Sequence, residues 1–171
     1  LLDQVEIEDK NKIVALDLVL TMNSSSYESN PDLYICAVMK AVRWSLKYGI
    51  SKHSSKCIAI YGLVDMALGN IEAGTKACKI ALQLAEKQRL MASEFAPISA
   101  VYGFVFPWTS SLHSCQNHLL TGYKMCLQSG DLESAFMDIT LYCFFCFSSG
   151  KPLSDLEADM RHYGRQMRVY N

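Results

Sequence analysis

The sequence has few residues that break helices and no excess of charge of either sign. It holds 4 prolines and 9 glycines in 171 residues, too few for the frequent turns of an all-β fold. Its 16 basic and 17 acidic residues leave a net charge of −1, whereas a general nucleic-acid binder shows a strong basic excess. Charged residues make up 19% and apolar residues 50%, which argues against disorder and predicts a sizeable core.

Targeting and membrane features are equally scarce. Leu1-Leu2-Asp3-Gln4 has no basic segment followed by a long apolar one, so no signal peptide is visible. The longest apolar stretch, residues 141–147, is far shorter than the ~20 residues of a membrane helix. The 7 cysteines are odd in number and most lie in apolar stretches, which predicts small buried thiols in a reducing, cytoplasmic compartment. The sequence does not begin with Met, and its last predicted helix runs almost to Asn171. Both features suggest a piece of a longer polypeptide.

The sequence instead has regularly spaced signals for the start and the end of helices. Asn30-Pro31 predicts an N-cap with proline at the first helical position, and Gly49 predicts the end of that helix. Gly69-Asn70 and Gly130-Asp131 each predict a stop followed by a new cap. Ser154 to Glu157 predicts a capping box at the start of the last helix.

The apolar spacing between these signals predicts eight helices joined by short links, with no convincing strand. The Ser24–Ser26 loop ends the first helix, and Pro97 kinks or delays the fifth. The second helix is expected to carry a broad apolar face, formed by Leu33, Ile35, Cys36, Met39, Val42, Trp44 and Leu46. The eight predicted helices span Asn11–Met22, Pro31–Tyr48, Ser54–Leu68, Ile71–Leu90, Ala92–Phe106, Ser110–Leu127, Leu132–Phe147 and Ser154–Val169.

Short links make neighbouring helices antiparallel, so the eight helices form four hairpins. The turn at 69–74 resembles the turn at 130–135, and recurring helical hairpins are typical of stacked repeats. Residues 55–86 fit a degenerate tetratricopeptide pattern, with Gly62, Gly74 and Ala81 where its helices approach closely. The predicted fold is all-α: stacked antiparallel helical hairpins in one TPR-like α-solenoid segment over 1–171. An irregular helical bundle is the alternative.

Residues that could carry chemistry are few. Cys143 and Cys146 form a C-x-x-C pair that could supply half a zinc site, but no second such pair follows. His113, Cys115 and His118 are a possible partner cluster, although their spacing matches no standard site. Core packing is the preferred interpretation, with a metal-binding domain using Cys143 and Cys146 as an alternative. We assign no catalytic, cofactor-binding or metal residue.

Two other segments have alternative interpretations. Residues 69–76 superficially resemble a phosphate-binding loop, but Thr75 precedes Lys76 where that loop needs Gly-Lys-Ser/Thr, so a helix–helix turn is preferred. The aromatic-rich segment from Tyr102 to Trp108 could line the pocket of a ligand-sensing helical bundle, although core packing is again preferred.

Charge is unevenly distributed along the chain. Residues 33–64 contain five basic side chains and no acid, and Lys40, Arg43 and Lys47 can share one helix face. Residues 1–30 are rich in acids, so the asymmetry predicts either pairing between neighbouring hairpins or an acidic partner. In the last helix acids precede arginines, which complements the helix dipole and forms either a solvated face or a docking stripe.

A set of short segments carries a family resemblance through its order and spacing, over nearly the whole chain but more weakly before Asn30. The segments are Tyr61-Gly62-Leu63, Gly69-Asn70-Ile71-Glu72-Ala73-Gly74, Ala81-Leu82-Gln83-Leu84, Trp108, Gly122-Tyr123, Gly130-Asp131-Leu132-Glu133, Tyr142-Cys143 and Gly150-Lys151-Pro152-Leu153. Together they resemble the helical, tetratricopeptide-like region of large signalling proteins of cyanobacteria and algae. Those proteins join a serine/threonine kinase domain, an AAA-type ATPase domain, this region and often GAF and sensor histidine kinase domains.

The resemblance implies a non-catalytic helical scaffold segment of a multidomain signal-transduction protein. Its implied partners are proteins or neighbouring domains of the same chain, with no cofactor, nucleic acid or membrane. The resemblance carries over no active-site residue, because the family's kinase, nucleotide-binding and histidine-phosphorylation motifs lie outside this segment. Thr109-Ser110 departs from the pattern, since family members often have a charged residue after the tryptophan.

Overall fold

The computed structural model describes residues 5–90 and 97–170, without the side chains of residues 19–28. It divides into two compact units, Leu1–Met91 and Ala92–Asn171. The described residues form helices and no strand, so the all-α prediction is confirmed for them. The finer prediction of a TPR-like solenoid stays a prediction.

Helices account for most of both units. In the first unit they are α1 (Lys10–Ser29), α2 (Pro31–Tyr48), α3 (Ser54–Ala67) and α4 (Ile71–Lys87). In the second they are a π-helical segment (Ser99–Val105), a 3-10 turn (Phe106–Trp108), α5 (Leu112–Ser129), α6 (Leu132–Ser148) and α7 (Leu153–Val169). The pairs α1–α2, α3–α4 and α5–α6 pack as hairpins, α2 also contacts α3, and α7 packs on α6.

Two of the predicted caps are confirmed, whereas Asn70 begins α4 without a side-chain hydrogen bond. The Asn30 side chain accepts a hydrogen bond from the Leu33 amide at 3.2 Å, with Pro31 at the first helical position. Asp131 accepts from the Ser134 amide at 3.0 Å, directly after Gly130 with φ +85°. These side chains satisfy backbone donors that a helix start leaves unpaired, which is why the helix boundaries follow them.

The prediction of a capping box at Ser154 is wrong. Helix α7 begins one residue earlier, after Pro152, and no side chain caps it. The Ser154 hydroxyl instead donates to the Asp155 carboxylate at 3.3 Å, and Glu157 pairs with Arg161 one turn later. Pro152 holds an extended conformation, with φ −51° and ψ 130°, that sets the start of the helix.

The end predicted for the first helix is also wrong. Helix α1 continues through the three serines to Ser29, immediately before the Asn30 cap. Each serine reduces helix stability by only about 0.5 kcal/mol relative to alanine, so a serine run does not end a helix unless a stronger signal follows. That stronger signal is the Asn30-Pro31 pair.

The N-terminal segment is tied to the loop that follows α2. The Ile7 amide donates to the Ile50 carbonyl at 2.9 Å, and the Ile50 amide donates to the Val5 carbonyl at 3.0 Å. Gly49, with φ +111°, lies so close to this segment that a Cβ would stand 2.5 Å from the Val5 carbonyl oxygen. The glycine therefore ends α2 and also permits the close backbone approach.

The helix predicted over Ala92–Phe106, with a later start after Pro97 as one option, is confirmed for its described part, although it is not an α-helix. Residues 92–96 lie outside the described residues, and Ser99–Val105 form a π-helical segment in which the Phe106 amide donates to the Val101 carbonyl. Pro107 has no amide hydrogen to continue an α-helical ladder, so the chain leaves the segment through a 3-10 turn.

A buried polar contact anchors the π-helical segment to α6. Asp138 is fully buried, and its carboxylate accepts a hydrogen bond from the Ser99 hydroxyl at 2.6 Å. Gly122 of α5 makes room for it, because a Cβ there would stand 2.8 Å from Ile98 and closer still to the Asp138 carboxylate. The second unit is thus organised around a polar contact as well as apolar packing.

Candidate functional site

An apolar groove runs between α6 and α7 in the second unit. Its volume is about 990 Å³, and it is open to solvent. Phe144 and Phe147 of α6 line it and are each 60% exposed. Leu153 and Met160 of α7 line the other side and are also exposed. Large contiguous apolar surface of this kind marks interaction sites on proteins.

Gly164 and three charged residues give the groove its shape and polarity. Gly164 lines it from α7, and a Cβ added there would meet no atom within 4 Å. Glu157 accepts two hydrogen bonds from the Arg161 guanidinium, at 2.7 and 2.9 Å, and both side chains line the groove. Arg168 lines the opposite end. The charged lining therefore consists of one ion-paired acid and two arginines.

Helix α7 is held in place on α6 by aromatic and ionic contacts. The Tyr163 ring packs edge-on against the rings of Tyr123 and Tyr142, at 5.4 and 6.3 Å between centroids. Burial raises the pKa of Tyr163 to about 12. The Lys151 ammonium, in the link between α6 and α7, pairs with the Asp159 carboxylate of α7 at 2.6 Å and lies 5.8 Å from the centroid of the Tyr142 ring of α6. These contacts keep the groove wall fixed while its apolar face remains exposed.

The C-x-x-C pair is split between the core and the groove. Cys146 is buried, whereas Cys143 is half-buried and lines the groove. Burial, reinforced by Cys146, raises the pKa of Cys143 to about 11, which keeps it a protonated thiol at neutral pH. Within residues 5–90 and 97–170, no three histidine, cysteine or acidic residues are grouped closely enough to hold a metal ion.

The predicted cluster on α5 is dispersed. Cys115 is buried in a core cluster with Leu119 and Phe145. The His118 ring stacks on Tyr102 at 3.9 Å between centroids, and His113 lies exposed on α5. These residues therefore do not form a common site.

Most of the aromatic segment 102–108 packs into the core. Tyr102 and Phe106 contact the same cluster as Cys115, and their rings meet edge-on at 5.3 Å. Trp108 is instead 73% exposed. Core packing accounts for Tyr102 and Phe106 but not for Trp108.

The apolar face expected on α2 is only partly buried: Val42 and Trp44 pack against a core cluster. The buried residues are Val38, Ala41 and Ser45, whereas Met39 and Leu46 are exposed. The small buried side chains let α2 pack closely between α1 and α3 and leave its larger apolar residues outside.

One acid of the N-terminal region pairs with side chains at the start of α3, within the first unit. The Asp17 carboxylate of α1 lies 2.6 Å from His53 Nε2 and 3.9 Å from the Lys52 ammonium. This contact ties the acidic N-terminal region to the start of α3, as the pairing interpretation predicts.

Sequence reasoning did not predict the α6–α7 groove. Helix α6 is apolar around most of its circumference, a pattern that predicts a buried helix. The one available signal was the spacing of Phe144 and Phe147, which places both on one side of the helix.

No helix in the part of the chain that the structure describes has the length and apolarity needed to cross a membrane. No protein-family model matches the chain, and neither the curated proteins nor the solved structures contain a significant match.

Proposed function

We propose that this chain is a non-catalytic helical scaffold segment that binds protein partners or neighbouring domains through the α6–α7 groove. The groove is the observation that carries this proposal. It is open and mainly apolar, with three charged residues in its lining, which is the form of surface that receives an amphipathic helix. Exposed Phe144 and Phe147 supply the large apolar anchors that dominate the energetics of such interfaces.

The proposed wider setting is a cytoplasmic signal-transduction protein with serine/threonine kinase, AAA-type ATPase and sensor histidine kinase domains. The family resemblance of the segments between Tyr61 and Leu153 supports this setting. In such a protein, the helical segment positions the catalytic domains or recruits their regulators. The flanking sequence of the gene tests the setting: kinase and ATPase coding regions beside this segment support it, and a gene without them contradicts it.

Binding through the groove is tested with a phage-displayed library of helix-forming peptides selected on the purified chain. We expect peptides with apolar residues at helical spacing, which bind wild-type protein and lose at least about tenfold affinity for Gly164→Trp. The added indole would occupy the open space beside Gly164. Failure to enrich such peptides, or equal binding to Gly164→Trp, contradicts the proposal.

A matched control lies on the same helix. Ala158 is exposed and does not line the groove, so Ala158→Trp adds the same side chain to α7 without filling it. We expect Ala158→Trp to bind the selected peptides like the wild type. Circular dichroism of both variants checks that α7 remains folded. Hydrolysis of ATP by the pure chain, lost on mutation of one carboxylate, would contradict the non-catalytic part of the proposal.

A metal-binding role for Cys143 and Cys146 stays an alternative prediction. Metal analysis of the purified protein tests it, because stoichiometric zinc lost in Cys143→Ser would support such a site. No feature of the described residues favours it over the groove.

A further inference from the structure

A row of apolar side chains lies exposed on α2, in the first unit. Ile35, Met39 and Leu46 follow helical spacing and are 37, 44 and 49% exposed. Val42 continues the row and is half-buried against a core cluster. At 100° per residue, the row lies about 100° around the helix from the buried row of Val38, Ala41 and Ser45. Helix α2 therefore buries one side and presents apolar surface on the next.

A row of cations borders this apolar row. Lys40, Arg43 and Lys47 share one side of α2, and all three are exposed. Within the described part of the chain, no ion pair joins any of them to an acid. The one acidic residue of α2 is Asp32, in its first turn. Like charges at this spacing destabilise an isolated helix, so folding alone does not favour the row.

Aromatic rings keep two of the cations along the surface. The Lys40 ammonium lies 5.3 Å from the centroid of the Trp44 ring, and the Lys47 ammonium lies 5.0 Å from that of Tyr48. Cation–π contacts of this kind restrict long side chains without neutralising their charge. The positive charges therefore remain available beside the apolar row.

We propose that this side of α2 is a second docking surface, which binds an amphipathic helix of a protein partner whose apolar stripe is flanked by Asp or Glu. The apolar stripe of the partner packs on Ile35, Met39 and Leu46, and its carboxylates pair with Lys40, Arg43 and Lys47. Charge complementarity identifies the partner, because an acidic flank relieves the repulsion within the cation row. The surface is distinct from the α6–α7 groove, so either can fail without the other.

An anionic membrane is the competing occupant, since basic amphipathic helices also bind lipid surfaces. The apolar row is only partly exposed, which suits side-by-side packing with another helix better than insertion among acyl chains. The observations therefore favour an acidic helix.

The test is a selection of helix-forming peptides on the wild-type chain, with counter-selection on the triple variant K40E/R43E/K47E. We expect the enriched peptides to carry Asp or Glu beside their apolar stripe. In fluorescence anisotropy, the triple variant should bind them at least about tenfold more weakly. Replacing the peptide acids with lysine should restore binding to the triple variant. Bound peptide should also slow the alkylation of Cys36, which lies exposed beside the cation row.

The control variant is K76E/K79E, which reverses two exposed lysines on α4 and should bind the peptides like the wild type. Arg43→Gln, a milder change, should weaken binding and its dependence on salt even if the triple variant fails to fold. The proposal is overturned if no peptide is enriched, if the enriched peptides lack acids, or if K76E/K79E loses equal affinity. Binding to phosphatidylserine vesicles without peptide binding would assign the surface to membranes. Loss of peptide binding in Gly164→Trp would assign it to the groove.

Discussion

Gly62 of α3 and Gly74 of α4 face each other with no side chain between them. A Cβ on Gly62 would stand 2.7 Å from the Gly74 carbonyl oxygen, and a Cβ on Gly74 would come closer still to the Gly62 carbonyl. The two helices therefore meet at backbone distance, as the tetratricopeptide-like pattern predicts for these positions. Ala81, the third small residue of that pattern, is fully buried in the same hairpin.

Alanine at either position should destabilise the first unit. Gly62→Ala or Gly74→Ala forces the helices apart, so we expect the free energy of unfolding to fall by about 1–3 kcal/mol in urea titrations. Gly164→Ala is the matched control, since its methyl group enters open space within a helix. That variant should gain about 0.5–1 kcal/mol. Equal effects at all three glycines would contradict the close approach of α3 and α4.

The contact between Ser99 and Asp138 should stabilise the second unit. Ser99→Ala removes a 2.6 Å hydrogen bond to a fully buried carboxyl group, so we expect a loss of about 1–2 kcal/mol in thermal or urea unfolding. Gly122→Ala should cost more, because its methyl group would collide with Ile98 and with the Asp138 carboxylate. Ser110→Ala, at an exposed position outside this contact, should leave stability nearly unchanged. A neutral effect of Ser99→Ala would show that the hydrogen bond does not hold the π-helical segment.

The cysteines should differ widely in reactivity. Burial raises the pKa of Cys57 and of Cys78 to about 12, so neither forms appreciable thiolate at neutral pH. Cys36 is exposed on α2. Alkylation by iodoacetamide, followed by mass spectrometry, should modify Cys36 first and the two buried thiols only after unfolding. Early labelling of Cys57 or Cys78 would contradict the packing of the α3–α4 hairpin.

Stability should fall as His53 becomes protonated. Burial lowers the pKa of His53 below its ordinary value of 6.5, an effect that hydrogen bonding to Asp17 partly offsets. The unfolded chain therefore binds this proton more readily than the folded chain does. The stabilisation is fully present above the unfolded pKa and is lost as the pH falls through 6.5 towards the folded pKa. Urea titrations between about pH 7.5 and about pH 5.5 should show this loss.

Two variants identify the source of that pH dependence. His53→Gln should reduce the slope, because its side chain does not titrate. Asp17→Asn should steepen it, because removal of the carboxylate leaves burial to lower the His53 pKa further. An identical slope in all three proteins would assign the pH dependence to other groups.

Local signals predicted most of the helix boundaries correctly. Asn30, Asp131 and the glycines before new helices act within a few residues, through backbone dihedrals and cap hydrogen bonds that the sequence specifies directly. The errors occurred where such signals competed. Helix α1 continues through the serines at 24–26 and ends just before the cap residue Asn30. Helix α7 begins directly after Pro152 and not at the predicted capping box of Ser154.

The candidate binding surfaces could not be predicted in the same way. Apolar spacing shows that Met39, Leu46, Phe144 and Phe147 belong to helix faces, but it does not show which face another helix covers. In α2 the smaller Val38 and Ala41 permit closer packing than the larger residues do, so the larger ones remain outside.

The sequence by itself therefore determined that the chain is helical and where most helices begin and end, because those properties depend on neighbours a few residues apart. Only the tertiary structure decided which apolar side chains are covered, how Pro107 and Asp138 shape the segment before α5, and that α6 and α7 leave a groove between them. These outcomes depend on helix packing, in which volume and close approach between distant residues decide what is buried.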